Sequence, residues 1–289
     1  MDEWISGMKQ MGEEMDDVEF EAEVSKWINA LTKNQRQVWR GCYQRGKSHQ
    51  FVIAGRAAGA THVLFVQNAN TTPPPAPSPA LQTGGAPPPA QPEVRLTNRG
   101  SAQCMVARDE WFGRLPVKRV LLSSPLMCAK ETALYMSGQG DLVEEGVAER
   151  GDDPLLICKT LGAQDPDSIV GQLVRQKGEC PVRTVLDAEG GETAFGLYAE
   201  ACALELTTKL RESIEAAKAE GSGREKATYI TVFGHQTLLS AVAYGVATAS
   251  GMTAEKLDDM LNIQLGEAEG ILVPLYGFGK AAIHLKRPN

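Results

Sequence analysis

The chain has 289 residues, 43% of them hydrophobic and 22% charged, with a formal net charge of −7 and a pI near 5.3. That balance fits a globular α/β domain with an ample core, and it excludes nucleic acid as the main partner, because phosphate binding needs a basic face. The six cysteines and four histidines are dispersed, with neither CxxC pairs nor metal-ligand spacing, so no metal or cofactor is implied. Scattered thiols fit a reducing compartment, the cytoplasm or an organelle matrix. The acidic start, MDEWISGMKQMGEEMDD, reads as neither signal nor transit peptide, and no apolar run is long enough for a membrane span.

Residues 1–36 carry helical periodicity. Trp4, Met8, Met11, Met15 and Val18 recur at steps of three and four, and Phe20, Val24, Trp27 and Leu31 repeat the pattern one face over. The stripe either covers the main domain's core or docks another protein. For docking, Trp4, Met8, Met11, Met15 and Trp27 are the candidate partner-binding residues, since Met and Trp suit adaptable or anchoring contacts.

Gly41–Ser48, GCYQRGKS, matches the phosphate-binding loop pattern GxxxxGK[ST] letter for letter. A nucleotide site needs a strand before the first glycine and a helix after the serine. Here the segment before is polar, and HQFVIAG after it reads as a strand. Nucleotide binding through Gly41–Ser48 is therefore the lesser reading, and a basic turn the better one.

Thr61–Asn70, THVLFVQNAN, is a buried strand, Val63–Val66, delivering Gln67, Asn68 and Ala69 to its C-terminal edge. The stretch at 71–92 that follows holds nine prolines and reads as an extended surface loop, a candidate contact for an aromatic groove on a partner protein. Then comes alternation: a helix over 99–112, a strand over 118–122, a helix over 125–136 with Pro125 in its first turn, and a long helix over 193–220. A strand over 229–233, a helix over 236–250 and strands over 269–275 and 280–285 close the set. Residues 138–192 are loop-rich. The pattern predicts an α/β fold with a doubly wound, mainly parallel sheet flanked by helices, spanning 61–289, behind a helical N-terminal extension, 1–60.

The polar strand ends share an order with LTNRG at 96–100, SSPLMCAKETA at 123–133, GGET at 190–193 and TVFGH ending at His235. That series resembles the histidine phosphatase superfamily, the phosphoglycerate mutase-like proteins. The resemblance implies a first-strand nucleophilic histidine and two phosphate-gripping arginines. The matching positions hold Asn68, Gln67 and Cys128 instead; only the second histidine survives, as His235. For the family's acidic proton donor the candidates are Glu145 and Glu149.

Phosphoryl transfer requires a nucleophile and cations for the equatorial oxygens. Each lost charge-assisted bond to phosphate removes about 1.5–3 kcal/mol. The leading expectation is a pseudoenzyme, a binding or scaffolding subunit of a larger assembly. The alternative is a phosphatase- or mutase-like enzyme with altered chemistry centred on His235, which could also hold an anion weakly when protonated.

Overall fold

The computed structural model describes residues 46–72, 94–112, 119–146, 155–162, 169–178, 180–188, 190–219, 229–276 and 281–287. All of them fall in the unit Gln44–Asn289.

Strand β1 (His62–Gln67) is buried along nearly its whole length, as a run of Val, Leu, Phe and Val should be in the middle of a sheet. It pairs in parallel with β4 (Tyr229–Gly234) and antiparallel with β5 (Gly270–Pro274). Strand β2 (Arg119–Ser123) lies parallel to β4 on its other side, followed by the short β3 (Leu156–Ile157); β6 (Ile283–Leu285) forms a hairpin with β5. The six-stranded sheet runs β3-β2-β4-β1-β5-β6. It is mixed rather than wholly parallel, since β5 runs against β1.

The period-2 alternation of β1 divides the core in two. Val63 and Phe65 face one cluster, with Ile230, Val232, Ile271 and Val273 from the neighbouring strands. Leu64 and Val66 face the other, with Phe233. Helices α7 (Gly191–Ala219), α8 (Gln236–Ala249) and α9 (Ala254–Leu261) supply the first layer, and α2 (Asn98–Phe112) and α3 (Met127–Ser137) the second. Helices thus cover both faces, as the sequence pattern requires. Burying each such Val, Leu or Phe contributes about 1.5–3 kcal/mol as an upper figure. No described helix is long and apolar enough to cross a membrane.

Two readings of the sequence need correction. Residues 46–57 are helical (α1), not a strand: Ser48, Phe51, Val52 and Gly55 share one face and are buried, while His49, Gln50 and Ile53 are exposed. The β-branched pair Val52 and Ile53 imitates a strand, but the burial period is that of a helix. Phe51, Val52 and Ala54 belong to the same cluster as Val63 and Phe65, so the core of the α/β unit draws on residues before 61. Helix α3 starts at Met127 after Leu126, leaving Pro125 ahead of it, where Ser124 Oγ accepts the Leu126 N–H at 3.2 Å.

The stretch over 138–192 contains α4 (Asp141–Glu144), β3, a 3₁₀ turn (Lys159–Leu161), α5 (Ile169–Lys177) and α6 (Val182–Leu186). The segment 1–36, with Trp4, Met8, Met11, Met15 and Trp27, lies outside the described residues, as does the proline-rich stretch from 73 to 92.

Candidate functional site

The C-terminal ends of β1, β4 and β2 come together in register. Gln67 pairs with Gly234 and Ser123 with Phe233. Asn68 N–H continues the ladder to Gly234 O (3.1 Å), and Ser124 N–H to Phe233 O (3.0 Å). Asn68, Ser124 and His235 are thereby the next residues on three adjacent strands. The turn before β5 closes the other flank: Gln67 N–H donates to Glu269 O (2.9 Å) and Ala268 N–H to Asn68 O (3.2 Å). Ala268 holds φ at 56°, a left-handed conformation that a non-glycine residue adopts only when its surroundings impose it.

Helix α3 packs its first turns under this edge. Asn68 is buried, 3% exposed, and its Nδ2 donates to Cys128 Sγ at 3.3 Å. Its Oδ1 is buried with no hydrogen-bond partner. One turn on, Thr132 Oγ1 accepts the Ala69 N–H (3.2 Å) and donates to Cys128 O (2.7 Å). Burial, and more weakly the Glu131 carboxylate, pushes the Cys128 thiol up to about 11; burial likewise pushes neighbouring Cys104 up to about 12. Burial therefore keeps both thiols protonated at neutral pH. Glu131, itself 3% exposed, is engaged by the Leu96 N–H at 2.7 Å and by Arg95 at 3.7 Å. It tethers the chain ahead of α2.

A second network fixes the residue that leaves the site. Asn70 N–H donates to Gln103 Oε1 (3.0 Å), Asn70 Nδ2 to Glu267 Oε1 (2.5 Å), and Gln103 Nε2 to Glu267 Oε2 (2.9 Å). Thr97 Oγ1 donates to Asn70 Oδ1 (2.6 Å) and accepts the Gly100 N–H (3.0 Å), capping α2. A Cβ on Gly100 would stand 2.2 Å from Asn70 O, so only glycine permits this approach. Burial would raise the Glu267 carboxyl, but the bonds from Asn70 and Gln103, with Arg99 and Arg287 nearby, hold it below the usual range.

The structure thus brings Gln67, Asn68 and Cys128 together, with His235 beside them. Gln67 is buried and His235 exposed, its extended backbone preceding α8, so it is not a core histidine. Glu145 is exposed at the end of α4, and Glu149 lies outside the described residues. Among the described residues no group of His, Cys, Asp and Glu could hold a metal.

At the phosphate-loop match, the segment before residue 46 lies outside the described residues. The donors after it are taken: Lys47 N–H and Ser48 Oγ donate to Oε2 (3.0 Å) and Oε1 (2.6 Å) of Glu200, a carboxylate 2% exposed. Glu200 thus takes two of the donors that the nucleotide reading would turn towards a phosphate.

Sequence reasoning missed Glu131, Gln103, Glu267 and Glu200. Glu131 sits inside the SSPLMCAKETA motif and could have been singled out there; the other three carry no local signal.

No protein-family model matches the chain, and no curated protein does. Solved structures that match include the mycobacterial glucosyl-3-phosphoglycerate phosphatase in complex with VO3 (14% identity, 80% of this chain and 100% of that one, TM-score 0.40). The alpha-ribazole phosphatase from Shigella flexneri also matches (15% identity, 78% and 96%, TM-score 0.39). So does the phosphoserine phosphatase from Entamoeba histolytica in complex with 3-phosphoglyceric acid (14% identity, 73% and 89%, TM-score 0.37).

Proposed function

We propose that the chain is a histidine phosphatase-like pseudoenzyme that acts as a binding or scaffolding subunit. The observation that carries the reading is the contact between Asn68 and Cys128 at the edge where β1 ends. By the motif resemblance these positions match a nucleophilic histidine and a phosphate-gripping arginine. Here an amide meets a protonated thiol. An amide nitrogen has no lone pair to attack phosphorus, and neither group carries the positive charge that the equatorial oxygens require. Gln67, at the other arginine position, is neutral and buried.

The partners in this reading are proteins. The Met- and Trp-bearing stripe of 1–36 and the proline-rich stretch 71–92 are the proposed contact surfaces. A second reading, weak anion binding, is favoured by the exposure of His235 beside Asn68.

The deciding experiment compares the wild-type protein with Asn68→Ala on p-nitrophenyl phosphate and on 3-phosphoglycerate. We expect no turnover above the variant's background. Hydrolysis that Asn68→Ala abolishes would overturn the reading.

A further inference from the structure

Away from the strand edge, helices α6, α7, α8 and α9 frame a cavity of about 320 Å³, within the size range of small-molecule sites. On α8 its lining runs from Ala241 to Thr248, about 8–18 Å along the helix from the end of β4. The cavity is therefore separate from the Asn68 site, and what it binds is independent of the pseudoenzyme reading. Arg183 on α6 donates to Asp258 (2.5 Å) and Asn262 (2.8 Å) at the end of α9, which ties the two outer helices together around the opening.

The charged groups on the wall are already compensated. Buried Glu200 accepts from Ser48 Oγ (2.6 Å) and from the Lys47 N–H (3.0 Å), with the Lys47 charge close by. Asp187, at the exposed rim, stands beside Arg183. The other polar groups are neutral: Thr248 donates its hydroxyl proton to Tyr244 O (2.9 Å), and the Tyr244 hydroxyl is itself both donor and acceptor. An ion of either sign entering here would leave water without gaining a fresh counter-charge. The wall selects an uncharged ligand.

Shape narrows the class further. The half-buried part of the wall is Leu186 on α6, Gly196 on α7, Tyr244 and Gly245 on α8, and Leu261 on α9. Gly196 and Gly245 present no side chain, and a Cβ on Gly245 would stand 3.8 Å from Ala199 Cβ, so α7 and α8 meet here as backbone and methyl groups. Such a surface has nothing to project between the atoms of a flat ring laid on it. The two leucines and the Tyr244 ring, from three helices, offer apolar and aromatic contact around it. We infer that this cavity binds a neutral, planar aromatic molecule of about the size of indole, its face on Gly196 and Gly245 and its edges against Leu186, Leu261 and the Tyr244 ring.

The test is a ligand-observed NMR titration of the full chain with indole, with indole-2-carboxylate as a charged comparator and 1-adamantanol as an apolar but globular one. We expect saturable binding of indole, at least roughly fivefold tighter than that of either comparator. Gly196→Leu puts a side chain into the floor at a helical position where leucine is preferred to glycine. It should hold or raise the melting temperature and weaken indole binding at least roughly tenfold. Leu261→Ala, which trims the half-buried wall, should weaken it roughly threefold and carries the test if Gly196→Leu does not fold. No saturable binding of indole, equal binding of either comparator, or an indole affinity unchanged in whichever variants fold would overturn the assignment.

Discussion

Asn68 Nδ2 lies 3.3 Å from Cys128 Sγ, and the other end of the same amide, Oδ1, is buried without a partner. A sulfur acceptor gives a weak bond, and an orphaned buried carbonyl costs about 1–3 kcal/mol. Asn68→Leu, similar in volume and without the polar atoms, should therefore melt at or above the wild-type temperature, by up to about 1 kcal/mol. A loss of more than about 2 kcal/mol in chemical denaturation would show that the amide is better satisfied than its geometry implies.

The two thiols beneath the site should be inert. With Cys128 pushed up to about 11 and Cys104 to about 12, roughly 0.1% or less of either is thiolate at pH 8. Iodoacetamide followed by peptide mass mapping should leave both unlabelled in the native protein and label them after denaturation. Rapid native labelling of Cys128 would mean that the site opens to solvent and that its thiol is activated.

Gly100→Ala should be among the most damaging single-methyl changes in the chain. The new Cβ would collide with Asn70 O, a backbone atom held by the Thr97 N–H (3.0 Å), so neither side can yield cheaply. We expect a loss of roughly 1–3 kcal/mol, as overpacking of a fixed site usually brings. A thermal melt within error of the wild type would mean that α2 can shift away from β1.

Glu267 gives a pH dependence with a definite sign. Its folded carboxyl is held below the ordinary value, so its stabilising contribution is present above the unfolded range near pH 4.3 and is lost as pH falls through the lower folded value. Glu267→Gln should be less stable than the wild type at neutral pH, and the two should converge in acid. Urea melts at pH 7 and pH 3 read this directly; a gap that widens in acid contradicts it.

How much of this was legible follows from what a sequence pattern carries. The run Val63–Val66 announced a buried strand, and the alternation of strands and helices along the chain announced helices on both faces, because period and hydrophobicity are local. Strand direction is not local: Gly270–Pro274 reads the same whether it runs with β1 or against it, and only the pairing shows that it runs against. Helix α1 was masked by β-branched residues whose burial follows Ser48, Phe51, Val52 and Gly55.

At the site, the order of motifs aligned Asn68 with Cys128 before any contact was visible. Nothing local tied Asn70 to Gln103 and Glu267, since that network joins a strand end, a helix and a turn from distant parts of the chain. Glu200 was hidden for the same reason: its partners Lys47 and Ser48 lie at the far end of the sequence.

The strand order has a consequence for how the protein is made. Strand β1 leaves the ribosome early, yet both strands that flank it, β4 and β5, come from the last quarter of the chain. Until they emerge, Phe65 and its neighbours have no ladder to join, and loop-closure entropy makes such distant pairings slow. A nascent chain halted after β2 would display two bare apolar strands, an invitation to aggregation that a holdase chaperone would have to cover. The first strand of this sheet gains both its neighbours only when almost all of the domain has been synthesised.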